Sequence, residues 1–209
     1  MKLIKLILCI FVCFMLLACD KKDEKEEIFD INNYSSEELF KLGWDSFAEN
    51  HFDDALEYFS ILNTKEDAYL LGHYGLGWTF LKQFKYHNAQ SQFNKFFTND
   101  SLEVFINSDS IFIDVKAGLC IVKNAFKQYD SVIVEAGFVP ENWVFKYIPD
   151  LNYLNIVLLK ALAEYNLGLF TDCLQSINII EPEFITDITT IEGRLVLMQK
   201  LEQLIIRFE

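Results

Sequence analysis

Leu42-Gly43-Trp44 is echoed by Leu76-Gly77-Trp78, and the glycines are 34 residues apart (77 − 43 = 34). The echo runs on at the same spacing: Phe52 answers Tyr86, Ala55 answers Ala89 and Phe59 answers Phe93. Self-similarity at a fixed period of this size marks a stacked supersecondary unit, one that cannot bury its apolar face without a neighbour. Glycine inside a helix costs about 1 kcal/mol against alanine. Gly43 and Gly77 are therefore best understood as crossing points, where a second helix carrying Ala55 or Ala89 comes close. Asn50-His51 and Gln83-Phe84 read as the turns between paired helices, and Asp53-Asp54 places acidic residues at a helix start, where the dipole favours them.

The order of residues resembles the tetratricopeptide repeat, whose period is 34 and whose pattern is a large apolar residue, Leu-Gly, an aromatic, then Ala and Phe. Leu39, Leu42, Gly43, Ala55 and Phe59 occupy it once, with Ser46 where an aromatic is expected and Phe47 beside it. Leu76, Gly77, Phe80, Ala89 and Phe93 occupy it again, with His73 at a position usually large and apolar. The resemblance implies an all-α protein: an antiparallel helix-pair repeat array, TPR-like, of three to four units over residues 35–209. Its first boundary is a capping-box pattern, Ser35-x-x-Glu38.

Further along the chain the echo weakens. Ala117-Gly118-Leu119 followed by Tyr129-Asp130-Ser131-Val132 reads as a third unit, at a spacing of 41 if Gly118 answers Gly77 (118 − 77 = 41). Residues 98–110 form a polar insertion before it, and 138–150, with Pro140 and Pro149, a connection after it. A fourth unit runs from Tyr153 to Pro182, with Ala161 at the small position, Leu167-Gly168-Leu169-Phe170 as the turn, and Cys173 and Ile177 on the second helix. Thr189-x-x-Glu192 then suggests a cap, and Ile191, Leu195, Met198, Leu201, Ile205 and Phe208 recur at helical spacing. Repeat arrays need terminal elements to cover the last apolar face, so this is assigned as a C-terminal capping helix.

At the other end, Lys2 and Lys5 precede an apolar run from Leu6 to Ala18, which stops at Cys19 and the charged stretch Asp20 to Glu27. That is the build of a secretory signal, too short for the roughly 20 apolar residues of a spanning helix. Leu16-Leu17-Ala18-Cys19 resembles the lipobox of bacterial lipoproteins. The resemblance implies removal of residues 1–18, a covalent lipid on Cys19 as the only non-protein group, and lipid-anchored residence in the cell envelope, with the outer membrane favoured over the inner. Residues 19–34, dense in charge, read as a flexible tether. Loss of Lys2 and Lys5 takes the net charge from −13 to −15 (−13 − 2), which repels phosphate backbones and disfavours nucleic acid as a partner. Cys120 and Cys173 remain; they read as small buried hydrophobes ahead of a disulfide pair.

No catalytic constellation is legible. His51, His73 and His87 lack metal-ligand spacing and read as turn or surface residues, Gly75-Leu76-Gly77 lacks the remainder of a nucleotide loop, and no G-x-S-x-G is present. The distinctive feature is a second apolar stripe: Phe40, Trp44 and Phe47, repeated 34 residues later as Tyr74, Trp78 and Leu81. In the resembled family this face lines the concave groove, so these six are the candidate partner-binding residues for an apolar peptide or helix of an envelope protein. Self-burial competes with that reading and ranks first, because a large exposed aromatic patch is hazardous; the insertions or the C-terminal helix would fill the groove. The expected role is a non-enzymatic scaffold or adaptor. The alternatives are a ligand-binding lipoprotein of the glycan-uptake type, whose aromatics would stack on sugars, and an envelope hydrolase built from the insertions.

Overall fold

The computed structural model describes residues 33–97 and 109–208. The expected signal at 1–18, nearly all of the expected 19–34 tether including Cys19, and the 98–108 portion of the expected polar insertion lie outside the described residues. From Ser35 onward the chain is one compact unit. Its described helices are α1 (Ser36–Ala48), α2 (Phe52–Leu62), α3 (Tyr69–Lys82), α4 (Tyr86–Phe97), α5 (Asp109–Ala125), α6 (Tyr129–Ala136), α7 (Tyr153–Asn166), α8 (Phe170–Ile180) and α9 (Ile191–Phe208). Sequential helices pack in pairs, α1 with α2, α3 with α4, α5 with α6 and α7 with α8. The odd-numbered helices also touch one another in series, from α1 to α9, and so form a continuous inner layer. The described residues thus form an all-α array of four helix pairs closed by a C-terminal helix.

The pairs are made by one turn used four times. Asn50, Phe84, Lys127 and Gly168 each adopt a left-handed backbone, with φ of 62°, 59°, 57° and 76°. The next residue's N–H reaches back to the carbonyl five residues earlier in every case: His51 to Ser46, Lys85 to Phe80, Gln128 to Lys123 and Leu169 to Glu164, at 2.8–2.9 Å. This closure satisfies carbonyls that a helix end would leave orphaned. At the start of the array Ser35 and Glu38 complete the expected capping box.

These turns set the register, and it differs from the sequence expectation in the third pair. The turn residues are separated by 34, 43 and 41 (84 − 50, 127 − 84, 168 − 127). Cys120, not Gly118, therefore answers Gly43 and Gly77; Ala161 answers them in the fourth pair, as expected. Gly118 answers Gly75 instead (118 − 75 = 43). The reason is that glycine serves two contacts. Phe59 lies between Gly43 on its own pair and Gly75 on the next, and Phe93 lies likewise between Gly77 and Gly118; a methyl group added at any of the four would collide with the ring. Both rings are fully buried. Cysteines 120 and 173 are free and buried, and burial pushes each thiol up to about 12.

Two more expectations are corrected. His73 is buried rather than at the surface, its Nδ1 2.6 Å from Gln92 Oε1, and desolvation holds its pKa below the usual range. In the next pair Lys116 and Glu135 make the same 19-residue link at 2.9 Å, so position 73 carries a polar cross-tie between inner and outer helices. On α9 the core-facing residues are Gly193, Leu197, Leu201 and Leu204, while Ile191 and Leu195 are exposed. Two apolar stripes share Leu201: Leu197, Leu201 and Leu204 meet Ala161, Cys173 and Ile177, and of the expected stripe Ile205 and Phe208 also pack against that cluster. Its cap is Thr190, whose Oγ1 accepts from Gly193 N–H at 3.0 Å; Thr189 is taken by Asp187.

Candidate functional site

The inner layer presents equivalent positions from each odd helix. Six residues before each turn residue stand Trp44, Trp78, Ile121 and Leu162, and ten before stand Phe40, Tyr74, Ala117 and Leu158. The sequence-derived partner stripe is therefore the first half of a face that runs through all four pairs.

In that first half the face is occupied by the chain itself. Trp44, Phe47, Tyr74, Trp78 and Leu81 are buried, and Phe40 is half-buried. The covering segment is part of the α6–α7 connection. Trp143-Val144-Phe145-Lys146-Tyr147 alternates, with Trp143 and Phe145 buried and Tyr147 half-buried while Val144 and Lys146 are exposed, as expected of an extended chain lying on a surface. It folds back as a small hairpin: Phe145 N–H donates to Leu151 O at 2.8 Å and Tyr153 N–H to Trp143 O at 3.0 Å, around one antiparallel bridge, Val144 to Asn152. Each inward aromatic meets a successive inner helix. Trp143 meets α5, Phe145 stacks on Trp78 of α3 with centroids 3.9 Å apart, and Tyr147 stacks on Trp44 of α1 at 3.7 Å with planes 3° apart.

Asp114 on α5 fastens this hairpin. Tyr74 Oη–H donates to its Oδ2 at 2.6 Å, and Trp143 Nε1–H donates to its Oδ1 at 2.7 Å. Burial pushes the carboxyl above the usual aspartate range against the pull of those two hydrogen bonds. Desolvation and the neighbouring Asp114 push the Tyr74 hydroxyl well up. Tyr147 is pushed up to about 12, by burial first and then by Asp114 and Asp45. With both oxygens engaged and 7% of the residue exposed, Asp114 ties Tyr74 and Trp143 together as a structural latch. The indole N–H groups of Trp44 and Trp78 are buried beneath the hairpin without a hydrogen-bond partner among the described residues. The hairpin thus covers the rings without matching their polar edges.

Sequence reasoning treated 138–150 as a connection and missed Asp114, Trp143, Phe145 and Tyr147. A signal was there: aromatic residues at every second position between Pro140 and Pro149 have the period of a half-buried strand. Asp114 offered none, because its partners lie 40 and 29 residues away.

In the second half the face is open among the described residues. Ile121 of α5, Leu158, Leu159 and Leu162 of α7, and Ile205 and Phe208 of α9 line a groove of about 380 Å³. Asn124 and Asn155 supply its polar side chains. The space exists because isoleucine and leucine stand where the first two pairs carry tryptophan, and no segment among the described residues lies over them. Among the described residues no group of three or more His, Cys, Asp or Glu gathers to hold a metal, and no helix is long and apolar enough to cross a membrane. No family model matches the chain, and no curated protein or solved structure matches it.

Proposed function

We propose that this protein is a non-enzymatic scaffold of the tetratricopeptide type, held at a bacterial envelope membrane by lipid on Cys19, where it retains a protein partner. One observation supports the scaffold reading above the rest: the inner layer is apolar through all four helix pairs, and half of it already holds an extended aromatic segment. Interfaces draw most of their binding energy from such apolar and aromatic anchors. The acidic charge, −13 over the whole sequence, steers the choice toward proteins and away from nucleic acids.

The membrane reading rests on the signal-like residues 1–18 and the lipobox-like Leu16-Leu17-Ala18-Cys19. Expression with radiolabelled palmitate, followed by membrane fractionation, tests it. The intact protein is expected to carry label and sediment with membranes, and Cys19→Ser to lose both; an unlabelled, fully soluble wild type would end the lipoprotein reading. Crosslinking in intact cells, with identification of the captured chains, tests the scaffold reading. A reproducible partner is expected, and turnover of a small-molecule substrate by the purified protein would replace a scaffold with an enzyme.

A further inference from the structure

Resting on the reading of a lipid-anchored protein, we propose that the edge of the array made by its second, third and fourth turns lies against the bilayer, with Lys82, Lys85 and Lys127 on anionic phospholipid headgroups and Phe84 entering the headgroup layer. The four pairs share one closure and the inner helices touch in series, so the turns fall along one edge. The second and third turns adjoin: the Phe126 ring lies 4.6 Å from that of His87 and 6.3 Å from that of Tyr86, centroid to centroid. Lys82, Phe84, Lys85 and Lys127 are all exposed there.

The charge of this edge runs against that of the chain. The sequence has 31 acidic residues against 18 lysines and arginines, yet these three lysines have no carboxylate partner among the described residues, whereas Lys41, Lys116, Lys160, Lys200 and Arg207 each have one. Asp130 is the one acidic residue within three positions of Phe84 or Lys127. The opposite edge is anionic: the connections at 63–68, 137–152 and 181–190 carry seven acidic residues (two, two and three) and two lysines. It lies about 20 Å away, the length of a 14-residue helix, which is twice the screening distance of about 10 Å. The first turn keeps Glu49 and Asp53, so the contact begins at the second.

Phe84 supplies the apolar half of the argument. Its ring is 76% exposed on a left-handed backbone, at a position that the other turns fill with Asn50, Lys127 and Gly168. A bulky side chain in that conformation is strained and here gains little core in return; at a lipid headgroup layer an exposed ring has a use. Leu167 and Leu169, both exposed, continue the apolar line at the fourth turn. Residues 20–34 number fifteen and span at most about 50 Å, enough for a lipid on Cys19 to leave this edge free to meet the membrane. Anchorage makes the contact intramolecular, so three cations and a ring suffice.

Spin labels at Leu169→Cys and at Ile185→Cys, on the two edges, test this in the lipid-bearing protein reconstituted into phosphatidylethanolamine–phosphatidylglycerol vesicles. Cys120 and Cys173 are buried, which leaves the introduced thiol to react. The label at 169 is expected to be shielded from a water-soluble nickel chelate and reached by oxygen, and the label at 185 to behave in reverse. Joint replacement Lys82→Gln, Lys85→Gln and Lys127→Gln, or phosphatidylcholine in place of phosphatidylglycerol, is expected to lower the docked-to-free ratio about tenfold, and Phe84→Asn severalfold. Circular dichroism and thermal unfolding confirm that each variant is folded. A label at 169 as open to the chelate as that at 185, or shielding indifferent to all three changes, would overturn the proposal. Shielding that persists in detergent would give the edge to a protein and also overturn it. Vesicle-bound protein with both labels in water leaves the lipid anchor standing and removes only this contact, whereas protein that carries no lipid and stays off the vesicles removes both.

Discussion

In the first two helix pairs a phenylalanine sits between two glycines, and the inner face is tryptophan covered by a hairpin; in the last two the ring positions hold smaller residues, the glycine positions larger ones, and no described segment covers the face. Phe59 and Phe93 are answered by Ala136 and Ile177, Gly43 and Gly77 by Cys120 and Ala161, and Trp44 and Trp78 by Ile121 and Leu162. The turn geometry is nevertheless the same in all four. What the pairs share is thus a backbone closure, which many side chains tolerate. What separates them is a packing choice: a large ring demands two glycines, whereas an alanine or isoleucine does not. That is also why the 34-residue echo is sharp in one half and faint in the other.

The largest effect that could break this comparison lies on the inner face itself. Trp78→Ala removes a fully buried indole from beneath Phe145 and is expected to cost about 3–5 kcal/mol. Leu162→Ala, at the equivalent half-buried position facing the groove, is expected to cost about 1 kcal/mol, less than a buried leucine would. Urea unfolding midpoints measure both. Equal losses would mean that the two halves are packed alike and that the groove is closed in solution.

Next in size is the latch. Asp114→Ala leaves the Tyr74 hydroxyl and Trp143 indole N–H buried without an acceptor, a loss expected at about 2–4 kcal/mol, from about one to two per orphaned group. Loss of the hairpin should also appear as a change in tryptophan fluorescence at denaturant concentrations below the main transition. Asp114→Asn keeps an acceptor and removes the charge, so it isolates the pH dependence. Because burial raises the folded-state pKa of Asp114, the folded protein holds that proton more tightly than the unfolded chain. The stability this group contributes is full below the unfolded aspartate range, about 4, and is lost as pH rises through the raised value. Glu164, raised by burial against hydrogen bonds from Ser176 and Lys160, adds a slope of the same sign. Wild type should therefore gain stability relative to Asp114→Asn on acidification. A wild type that lost stability relative to Asp114→Asn as pH fell would reverse the sign assigned to burial.

Helix pairing, the turns of the first, second and fourth pairs and Ala161 were legible because local chemistry fixes them: glycine at a crossing, a cap at Ser35, helical spacing of apolar residues. The third register was not. Gly118 drew the alignment to itself although its partner is Phe93 of the preceding pair, and a cysteine at the crossing gives no mark of its role. Gly118→Ala tests the assignment: it should cost about 1–3 kcal/mol by overpacking against Phe93, while Cys120→Ala should cost about 1 kcal/mol. The stripe Phe40, Trp44, Phe47, Tyr74, Trp78 and Leu81 was legible as a face and its self-burial was the leading expectation, but the residues that supply the cover were not legible. A long-range occupant leaves only a faint period-two pattern in its own sequence, and the choice between the two stripes of α9 was made by neighbours on α7 and α8, which no local window contains.

The smallest effect separates backbone closure from side-chain packing. Three of the four turns place a residue other than glycine in the left-handed region, and Phe84 does so with its side chain 76% exposed, so its ring gains little burial there. Asparagine tolerates that conformation because its short polar side chain can bond locally, and the first pair already uses Asn50 at this position. Phe84→Asn is therefore expected to stabilise the protein by about 0.5 kcal/mol, within the range of surface substitutions, read as a small rise in Tm. Gly168→Ala at the equivalent turn of the last pair should do the opposite, by about 1–2 kcal/mol, with open space around its Cβ leaving backbone strain as the sole cause. If Phe84→Asn lowered Tm, the ring's edge contact with Tyr86, centroids 6.4 Å apart, would outweigh the strain, and the turn would belong to packing after all.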